Sequence, residues 1–579
     1  MNKKSSPYLL SLILCLLFFL LLYLFTEALS HFSFSPWGWQ KALFSSLLVN
    51  MFLLYSPLQS KLCALLPLCL SLSVYIIFYH AVAAVPYWYI YSAIGFHTAI
   101  YILLLLPLLF IANIKLKKVY SFLALFLFLC PLFLFWAYFL ISHTWPLPDT
   151  LIAVLQTDAT EAWEYLKAHI SWSILLIFAL LCLCIYHTTS PLSLITYKKQ
   201  RVSRILVSFV MFASSLALIT ISLDNPILLL INDSCQQIEE YQRFKEMQAH
   251  ASPAPPISIE GSPAKGLFVL VIGESQNRSH MSAYGYPLPT TPWLQGKEEN
   301  PHFLRFTQPY SCHVQTVQVL SYALTNKNQY NDIPLEQATT LVEVAKAAGY
   351  ETYWISNQAH YGAWETPTSV IADACDHQIW ANKNSGDNGL TTAYDEAVTQ
   401  YISQVSDTGN ALLIVHLMGN HRPYLLRYPP AYNLFHHANA MREHYDNSMR
   451  YNDEVMKQLY ETLQKNPDFR AMAYCADHGE GIDEGLAHDV TAYHPSITYI
   501  PFYMAFSDSY MQSYPETLSH LRSHQNDIFT NDLLFNAMLG LMHIRPKGLY
   551  EPENDITSDR YDATPSRFRT LFGKKPLEE

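Results

Sequence analysis

Hydrophobic and polar positions divide the chain into two parts with different patterns. Before about residue 222, long apolar runs follow one another with few charged residues between them. Runs near the roughly 20 residues needed to cross a bilayer predict membrane-spanning helices. The candidate spans are 9–29, 42–57, 62–84, 95–113, 119–141, 171–187 and 204–222, of which 42–57 is short. We therefore expect an N-terminal multi-span α-helical membrane domain over residues 1–222.

Basic residues predict the side on which each connecting loop lies. They cluster near the N-terminus, at 115–118 and at 198–204, whereas the opposite loops carry only Lys41 and Lys167. Because loops rich in Lys and Arg stay in the cytoplasm, the N-terminus is expected there, with 9–29 as an uncleaved span. Five and seven spans give the same result for the rest of the chain. Everything after about residue 222 is expected outside the cytoplasm, on the same side as a loop at 143–170.

The pattern then changes to short strands and helices. Residues 223–264 are expected to form a juxtamembrane helix and a Pro-rich linker. From 265 to 579, apolar strands alternate with helices, which is typical of an α/β domain with helices on both faces of its sheet. Strands are expected at 267–272, 350–355, 411–416, 471–476 and 499–506, and helices after Thr316 and at 335–348, 439–465 and 527–541.

Two of these strands run directly into acidic residues. Glu274 follows the first strand after Gly273, and Asp477 and His478 follow the strand at 471–476. The carboxyl ends of strands are where sites are built in open α/β sheets. Taken alone, Glu274 fits a neighbour of a helix N-cap equally well. Two carboxylates and one imidazole together suit zinc and leave a coordination position open for chemistry.

Thr316 begins a segment with helical spacing of apolar residues. These residues are Val317, Leu320, Ala323 and Leu324. At a helix N-terminus, unpaired amide groups and the positive end of the dipole can receive phosphate oxygens. The Thr316 hydroxyl is therefore a candidate nucleophile, and an ordinary N-cap is the alternative interpretation.

Several short motifs follow one another along the chain in a specific order. They are Gly273-Glu274-Ser275, Arg278, Met281-Ser282, Tyr284-Gly285-Tyr286, Thr291-Pro292, Thr316 with Leu324-Thr325, Asn357-Gln358, His416 with Gly419-Asn420-His421, and Asp477-His478-Gly479-Glu480. In combination they resemble the membrane-bound phosphoethanolamine transferases of the alkaline phosphatase/sulfatase superfamily. The resemblance covers essentially the whole chain. It is closer to the branch that modifies lipopolysaccharide core sugars or glucans than to the lipid A branch.

The resemblance implies a fold, a metal and a set of functional residues. The soluble domain should be sulfatase-like, with at least one Zn²⁺, and a second divalent ion in addition is left open. The residues that match the family's zinc ligands are Glu274, Thr316, Asp477 and His478, with Thr316 also the nucleophile. Histidines that match those around the reacting phosphate or a second metal are His416, His421 and His488, with His494 left unassigned. Two further residues are expected to bind substrate, namely Asn357 and Arg278.

The activity that the resemblance implies is phosphoethanolamine transfer. Phosphatidylethanolamine would be the donor, and a hydroxyl or phosphate of an envelope glycolipid, lipopolysaccharide core or lipid A, the acceptor. A covalent intermediate would form on Thr316. The expected location is the bacterial inner membrane, multi-pass, with the catalytic domain in the periplasm.

Other functions remain as alternatives. A glycerol-phosphate transferase or phosphodiesterase of the same superfamily uses a similar threonine and metal. A sulfatase needs a Cys/Ser-x-Pro-x-Arg setting that the residues after Thr316 lack. A transporter or receptor with an outer binding domain is disfavoured, because the apolar runs contain almost no charged residues.

Charge and cysteine content limit the remaining choices. The net charge of −11 and the absence of basic clusters in the soluble half give no support for nucleic-acid binding. The cysteine pattern that often lies near the family's nucleophile is missing. A Cys312–Cys375 disulfide is conceivable outside the cytoplasm, whereas Cys475 lies in a predicted core strand.

Overall fold

The computed structural model describes two compact units. The first comprises the described residues within 1–151 and 169–236, and the second those within 152–168 and 237–579. The predicted loop at 143–170 is thus divided between the units. The residues that the structure describes are 38–53, 58–73, 88–142, 146, 148–157, 162–163, 166–167, 170–194, 201–223, 225–249, 257–358, 367–381, 394–405, 409–422, 424–485 and 493–577.

The first unit is helical throughout its described part. In chain order up to the linker, the helices are α1 Gly38–Leu53, α2 Leu58–Leu72, α3 Trp88–Leu105, α4 Ile114–Ser142, α5 Pro148–Gln156, α6 Trp172–Ser193, α7 Arg201–Thr220 and α8 Pro226–Ala249. Of these, α5 and α8 each contain a boundary between the units. Their apolar composition explains why helices form here, since helices satisfy every backbone polar group in a lipid environment.

Four segments among the described residues are long and apolar enough to cross a membrane. They are Tyr91–Leu109, Ile114–Ile141, Trp172–Ser193 and Ser203–Thr220, and they correspond to the last four predicted spans. The predicted span 9–29 lies outside the described residues. Helix α1, in the region of the predicted span 42–57, has 16 residues, and α2 ends at Leu72 within the predicted span 62–84. The prediction of a multi-span helical domain is confirmed, while its number of spans stays a prediction.

The second unit is built around a seven-stranded sheet. Its strands are β1 Leu267–Gly273, β2 Phe303–Arg305, β3 Glu351–Ser356, β4 His377–Trp380, β5 Ala411–His416, β6 Phe469–Ala476 and β7 Phe502–Phe506. They lie in the order β2-β7-β6-β1-β5-β3-β4. All neighbouring pairs are parallel except those of β7 with β6 and with β2. Strand β1 is therefore central, and every one of its residues is buried.

Helices cover both faces of this sheet, as the alternating pattern predicts. The helices are α9 Pro292–Gln295, α10 Thr316–Ala323, α11 Leu341–Ala347, α12 Pro367–Asp373, α13 Thr399–Ile402, α14 Ala440–Leu463, α15 Asp508–Ser513, α16 Pro515–Ser523 and α17 Leu534–Leu541. Side chains of β1 alternate between two cores. Phe268 and Leu270 share one core with α10, α11 and α17, whereas Val269 and Val271 share the other with α14. This alternation follows from the two-residue repeat of a strand.

Short strand pairs lie outside the main sheet. Ile259–Glu260 pairs antiparallel with Arg545–Pro546, Gln308–Tyr310 pairs parallel with Ile528–Thr530, and Arg569–Thr570 pairs antiparallel with Lys575–Pro576. The second pair explains why the expected helix at 527–541 begins only at α17. Its first residues extend to bond with Gln308–Tyr310 and then pass through a short 3₁₀ turn, Asn531–Leu533.

Two other expectations need correction. The expected helix 335–348 is a 3₁₀ turn, Leu335–Gln337, followed by α11, because Thr340 caps α11 in a reciprocal pair with Glu343. Cys312 and Cys375 are both free and buried in the core, so the conceivable disulfide between them is absent. Burial raises the pKa of both thiols, which keeps them protonated.

Candidate active site

Three buried ligand groups converge at the carboxyl edge of the sheet. Oxygens of Glu274 and Asp477 and a ring nitrogen of His478 all lie within 4.8 Å of one another. The Nε2 atom of His478 is 3.5 Å from Oε1 of Glu274 and 3.4 Å from Oδ2 of Asp477. Among the described residues this is the one group of three or more such side chains with this spacing. The convergence predicted from two strand ends is therefore observed.

The sheet itself creates this convergence. Strands β1 and β6 are hydrogen-bonded neighbours, and their last residues, Gly273 and Ala476, are register partners. The next residue on each strand is an acid, so Glu274 and Asp477 leave the sheet side by side. Parallel strands about 4.8 Å apart hold the two carboxylates at metal-binding distance. Glu274 and Asp477 are about two hundred positions apart in the sequence, yet only one interstrand distance separates them in the fold.

Thr316 brings a hydroxyl to the same point. It is the first residue of α10, as predicted, and its side chain is half-buried. Its Oγ1 atom lies 2.7 Å from Oδ2 of Asp477, 3.1 Å from Oε2 of Glu274 and 3.5 Å from Nε2 of His478. No side chain caps this helix end at Gln315. The hydroxyl of Thr316 therefore faces the carboxylates instead of closing its own helix.

Polar neighbours hold the Glu274 carboxylate in place. Ser275 donates from Oγ to Oε1 at 2.7 Å, and Gln358 donates from Nε2 to Oε2 at 3.0 Å. Gln358 also donates to the carbonyl of Leu417, which ties it to the turn after β5. Both carboxylate oxygens therefore have fixed directions before any ligand binds.

The backbone after Glu274 is strained and clamped. Ser275 has a positive φ of 56°, which is rare for a residue other than glycine. The hydroxyl of Tyr445 donates to the carbonyl of Ser275 and accepts from the amide of Asn277, both at 2.8 Å. Residues held in such sparsely populated regions cluster at functional sites. Tyr445, on the buried face of α14, therefore stabilises the turn that sets the direction of the Glu274 side chain.

Asp477 and His478 are held in a similar way. Oδ1 of Asp477 accepts from the amides of Ser275 and His478, at 2.9 and 2.6 Å. Nδ1 of His478 lies 2.9 Å from the carbonyl of Gly479, which can only accept. The proton is therefore on Nδ1, and the lone pair of Nε2 points to the two carboxylates. Asn531 holds the strand end from behind by donating to the carbonyl of Asp477 at 2.7 Å.

Burial sets the electrostatics of this group. It raises the pKa of Glu274, and the nearby Asp477 raises it further. Burial also raises the pKa of Asp477, against hydrogen bonds from its neighbours that lower it. Two carboxylates packed together in a dry site repel one another when both are ionised. A cation between them would remove that repulsion.

The donor set fits a divalent metal ion. Two carboxylate oxygens, one imidazole nitrogen with its tautomer fixed by a carbonyl, and one hydroxyl are ligands that zinc accepts. The residues that would hold the ion are Glu274, Thr316, Asp477 and His478. A mononuclear site with three strong ligands leaves the fourth position to the hydroxyl.

The predicted histidines lie in different surroundings. His421 is in the turn after β5, half-buried, with Nδ1 2.8 Å from the carbonyl of Arg422, and its charge lowers the pKa of Glu274. His416 ends β5 inside the core, where burial lowers its pKa to about 3. Its ring packs edge-on against Trp354, and it makes no hydrogen bond to the four ligand residues. His488 lies outside the described residues, and His494 contacts Ser496 and Glu484.

The two residues predicted to bind substrate have structural partners. Asn357 is fully buried and donates to Oδ1 of Asp395 at 2.9 Å. Asp395 in turn accepts from the amides of Met418 and Gly419, so Asn357 helps to order the turn after β5. The guanidinium of Arg278 lies between two tyrosine rings, those of Tyr310 and Tyr499, and donates to a carbonyl.

Several residues that shape the site were not singled out as site residues. Gln358, Ser275, Tyr445 and Asn531 contact the ligand groups or their backbone, as described above. Ser275 and Gln358 belong to the motifs Gly273-Glu274-Ser275 and Asn357-Gln358 at strand ends, so the sequence does contain a signal for them. Tyr445, from α14, and Asn531, from the 3₁₀ turn before α17, reach the site across the fold.

Comparison with known proteins agrees with this geometry. Residues 267–544 match the family model described as Sulfatase. EptC, a phosphoethanolamine transferase of Escherichia coli (strain K12), is 27% identical over 330 residues, which cover 53% of this chain and 56% of EptC. CptA, a phosphoethanolamine transferase of Salmonella typhimurium, is 25% identical over 334 residues, with the same coverage of 53% and 56%. The chain spans about half the length of the curated relatives it matches.

Two solved structures extend the comparison. The C-terminal periplasmic domain of Escherichia coli EptC, solved in complex with Zn, is 26% identical, with a TM-score of 0.51 over 55% of this chain and 94% of that domain. The integral membrane transferase EptA of Neisseria meningitidis matches 96% of this chain and 98% of its own, with a TM-score of 0.54. At 19% identity it shows a shared fold only. Residues 267–544 thus match the sulfatase family, and the relatives that this part of the chain resembles are phosphoethanolamine transferases.

Proposed function

We propose that this protein transfers phosphoethanolamine from phosphatidylethanolamine to an envelope glycolipid through a covalent intermediate on Thr316. The observation that carries the proposal is the position of the Thr316 hydroxyl, 2.7 Å from Asp477 and 3.1 Å from Glu274. A hydroxyl at this place is half-buried, lies at a helix N-terminus and has carboxylates beside it that can take its proton. The relatives named above carry the same activity in their names.

The metal would be bound by Glu274, Asp477, His478 and Thr316. A divalent zinc ion in this position supplies Lewis acidity, which lowers the pKa of a hydroxyl beside it and balances negative charge on phosphoryl oxygens. The protein's part is to keep the ligands preorganised, and Ser275, Gln358 and Gly479 do this through hydrogen bonds to them. The site is therefore ready before the substrate arrives.

In the first step, the oxygen of Thr316 forms a bond to the phosphorus of the donor lipid. The hydroxyl proton leaves toward the adjacent Asp477 carboxylate, and the phosphorus–oxygen bond to diacylglycerol breaks. The departing glycerol oxygen needs a proton, which we assign to His421 or His488. Nδ1 of His421 faces a carbonyl, so Nε2 is its exchanging nitrogen. We give His416 no proton-transfer role, because a buried imidazole with a pKa of about 3 stays neutral.

In the second step, a hydroxyl or phosphate oxygen of the acceptor attacks the same phosphorus. The bond to Thr316 breaks, its oxygen regains the proton held by Asp477, and phosphoethanolamine is left on the glycolipid. The proton of an acceptor hydroxyl passes to the histidine that gave its proton to the diacylglycerol oxygen in the first step. The amide groups at the start of α10 face this position, where a phosphoryl group gains from the helix dipole. Helix α10 has its first residue, Thr316, at the reacting oxygen.

A membrane-embedded chain suits a lipid donor. The segments that are long and apolar enough to span a membrane would tether the catalytic domain to the bilayer. Tethering converts capture of the donor headgroup into a local event with a raised effective concentration. We place the catalytic domain on the periplasmic side of the inner membrane, in agreement with the distribution of basic residues.

Mass spectrometry of the purified full chain tests the proposal. After incubation with phosphatidylethanolamine, the protein should gain the mass of one phosphoethanolamine, and peptide mapping should place it on Thr316. A Thr316→Val variant, which keeps the shape and loses the hydroxyl, should gain none. Incubation with phosphatidylglycerol tests the alternative activity, because a glycerol-phosphate transferase would modify Thr316 from that lipid instead. An adduct of normal yield on the Thr316→Val variant would refute the assignment.

A further inference from the structure

A polar groove lies at the same edge of the sheet as the metal ligands. It has a volume of about 420 Å³ and is lined by two arginines and by small polar or acidic side chains, among them Arg278, Arg305, Ser279, Gln295, Glu298 and Thr307. None of these lining residues belongs to the metal quartet.

Strand topology locates the groove relative to the metal site. Strand β2 is antiparallel to β7, and β7 is antiparallel to β6, so β2 and β6 run in the same direction. Arg305 is the last residue of β2 and therefore lies at the edge where Asp477 follows β6. The register runs from Arg305 through Tyr503 to Tyr474, three residues before Asp477. Two interstrand spacings and three residues of rise correspond to roughly 14 Å between the backbones.

The groove offers positive charge with an unmet hydrogen bond. The Nε atom of Arg305 is buried and has no hydrogen-bond partner among the described residues. Its guanidinium lies 5.1 Å from the ring centre of Tyr284 and 3.3 Å from Oε1 of Glu298. A buried donor without a partner costs free energy, which a ligand oxygen would recover. Guanidinium groups recognise phosphate and carboxylate oxygens in this way.

The other arginine is fixed in place. Arg278 lies between the rings of Tyr310 and Tyr499, at 4.6 and 4.8 Å from their centres. It stands four residues after Glu274, so the groove and the metal site share one short segment of chain. Hydroxyl and amide side chains on the rim suit the hydroxyls of a sugar. The combination of two guanidinium groups with neutral polar residues favours an anionic saccharide over a neutral or apolar ligand.

We propose that this groove binds a phosphate- or carboxylate-bearing sugar of the acceptor, and so selects charged glycolipids. This inference rests on the proposed transferase function. The reacting phosphorus must contact Thr316, which lies beside Asp477, whereas the backbone of the groove residue Arg305 is roughly 14 Å from that of Asp477. A ligand that reaches both places must be larger than a lipid headgroup. A short oligosaccharide meets that requirement, with one unit in the groove and the reacting oxygen at Thr316.

Titration calorimetry on the full chain in detergent tests the groove without turnover. The probes are a phosphorylated core oligosaccharide and its enzymatically dephosphorylated counterpart. Arg305→Gln should weaken binding of the phosphorylated form about tenfold. The variant should then bind the two probes with nearly equal dissociation constants. Glu298→Gln, at an exposed position, should strengthen binding of the phosphorylated form by about threefold, because a competing carboxylate is removed. Circular dichroism melting curves show whether each variant is folded.

A matched control separates specific contact from diffuse charge. Lys297 precedes Glu298 in sequence, packs on Trp293 and Phe303, and does not line the groove. Lys297→Gln should therefore bind both probes as the unsubstituted protein does. Equal weakening by Lys297→Gln and Arg305→Gln, unchanged preference in Arg305→Gln, or no effect of Glu298→Gln would each overturn the inference.

Two outcomes separate this inference from the proposed function. Loss of the Thr316 adduct in Arg305→Gln, with unchanged oligosaccharide binding, would assign the groove to the donor and overturn the acceptor assignment. Absence of any adduct in the unsubstituted protein would refute the transferase proposal, while the calorimetric preference for the phosphorylated probe would still report on the groove itself.

Discussion

Oγ1 of Thr316 lies 2.7 Å from Oδ2 of Asp477, although 161 positions separate the two residues in the chain. Thr316 is the first residue of α10, and Asp477 is the first residue after β6. They meet because β6 lies beside β1 in the sheet and α10 packs on one face of that sheet. The contact places a hydroxyl beside a buried carboxylate that accepts its hydrogen bond.

The effect of a Thr316 substitution on the transfer rate should depend on whether the new residue keeps the hydroxyl. Thr316→Ser keeps the oxygen and should retain transfer within about tenfold, since only a methyl group is lost. Thr316→Val keeps the shape and should lower transfer at least about 10³-fold, the scale of losing a nucleophile. Initial rates of glycolipid modification measure both, with melting temperatures as the folding control. Equal rates for the two variants would remove the hydroxyl from the mechanism.

Metal removal should destabilise the protein in a pH-dependent way. The pKa values of Glu274 and Asp477 are raised in the fold, chiefly by burial. Their contribution to stability is therefore present at low pH and is lost as pH rises through the folded pKa values. A bound cation takes the place of the protons, and at 1,000 times its Kd it adds about 4 kcal/mol. The difference in melting temperature between zinc-loaded and chelated protein should grow from pH 5 to pH 8.

The Glu274→Gln variant provides the control for this experiment. It removes one of the two repelling carboxylates and one ligand, so its metal-free form should melt above metal-free unsubstituted protein at pH 8. It should also bind less zinc by elemental analysis. A difference in melting temperature that is independent of pH would contradict the electrostatic account.

Gly419 should be intolerant of a side chain for a reason specific to the site. Its φ is +50°, and an added Cβ would lie 2.6 Å from the carbonyl oxygen of Glu274 and 2.9 Å from its amide. Gly349 has a φ of +84° with nothing near the corresponding Cβ position. Each glycine-to-alanine change should cost about 1–2 kcal/mol from the backbone. Only Gly419→Ala should also weaken zinc binding, because it displaces Glu274.

Dialysis against zinc buffers, followed by elemental analysis, measures this difference. The backbone cost appears in both variants as a lower melting temperature. Equal zinc affinity in the two variants would show that the position of Glu274 does not depend on the turn after β5.

His416 should make the protein sensitive to acid. Burial lowers its pKa from an ordinary value of 6.5 to about 3. A folded pKa below the unfolded value contributes stability that is present above pH 6.5 and is lost as pH falls toward 3. By pH 4.5 the loss is about 2.7 kcal/mol, at 1.36 kcal/mol for each pH unit. His416→Gln should flatten the decline in melting temperature between pH 6.5 and pH 4.5.

The exposed His377 offers the matched control, since its replacement by Gln also removes one histidine. The same flattening in both variants would mean that His416 is not responsible. A steep decline that persists in His416→Gln would show that other groups carry the acid sensitivity.

The sequence allowed the strand-end ligands to be predicted for a physical reason. An apolar run that stops at an acidic residue is visible in the local sequence. Because parallel strands end at one edge of a sheet, the proximity of Glu274 and Asp477 could be predicted from the sequence alone. The supporting contacts depend on which strands are neighbours and on where α14 lies. Tyr445 and Asn531 contact backbone atoms far along the chain, and no periodicity encodes such a contact.

His416 shows the limit of the motif itself. It stands in the expected order between other family residues, and its side chain points into the apolar core beside Trp354. Its position as the sixth residue of β5, with Leu412 and Ile414 on the same face, determines that direction. The resemblance identifies the residue, whereas the two-residue repeat of the strand decides what surrounds it.

The pairing of Gly273 with Ala476 also bears on which elements the site accepts. Glu274 and Asp477 project from two central strands whose separation is set by backbone hydrogen bonds, so the gap between them has a nearly constant width. Zinc needs oxygen ligands at about 2.0–2.2 Å, whereas calcium needs about 2.3–2.6 Å and six or more of them. A cation of larger ionic radius would have to spread the middle of the sheet. We expect the protein to discriminate by size, and to exclude calcium even where that ion is abundant.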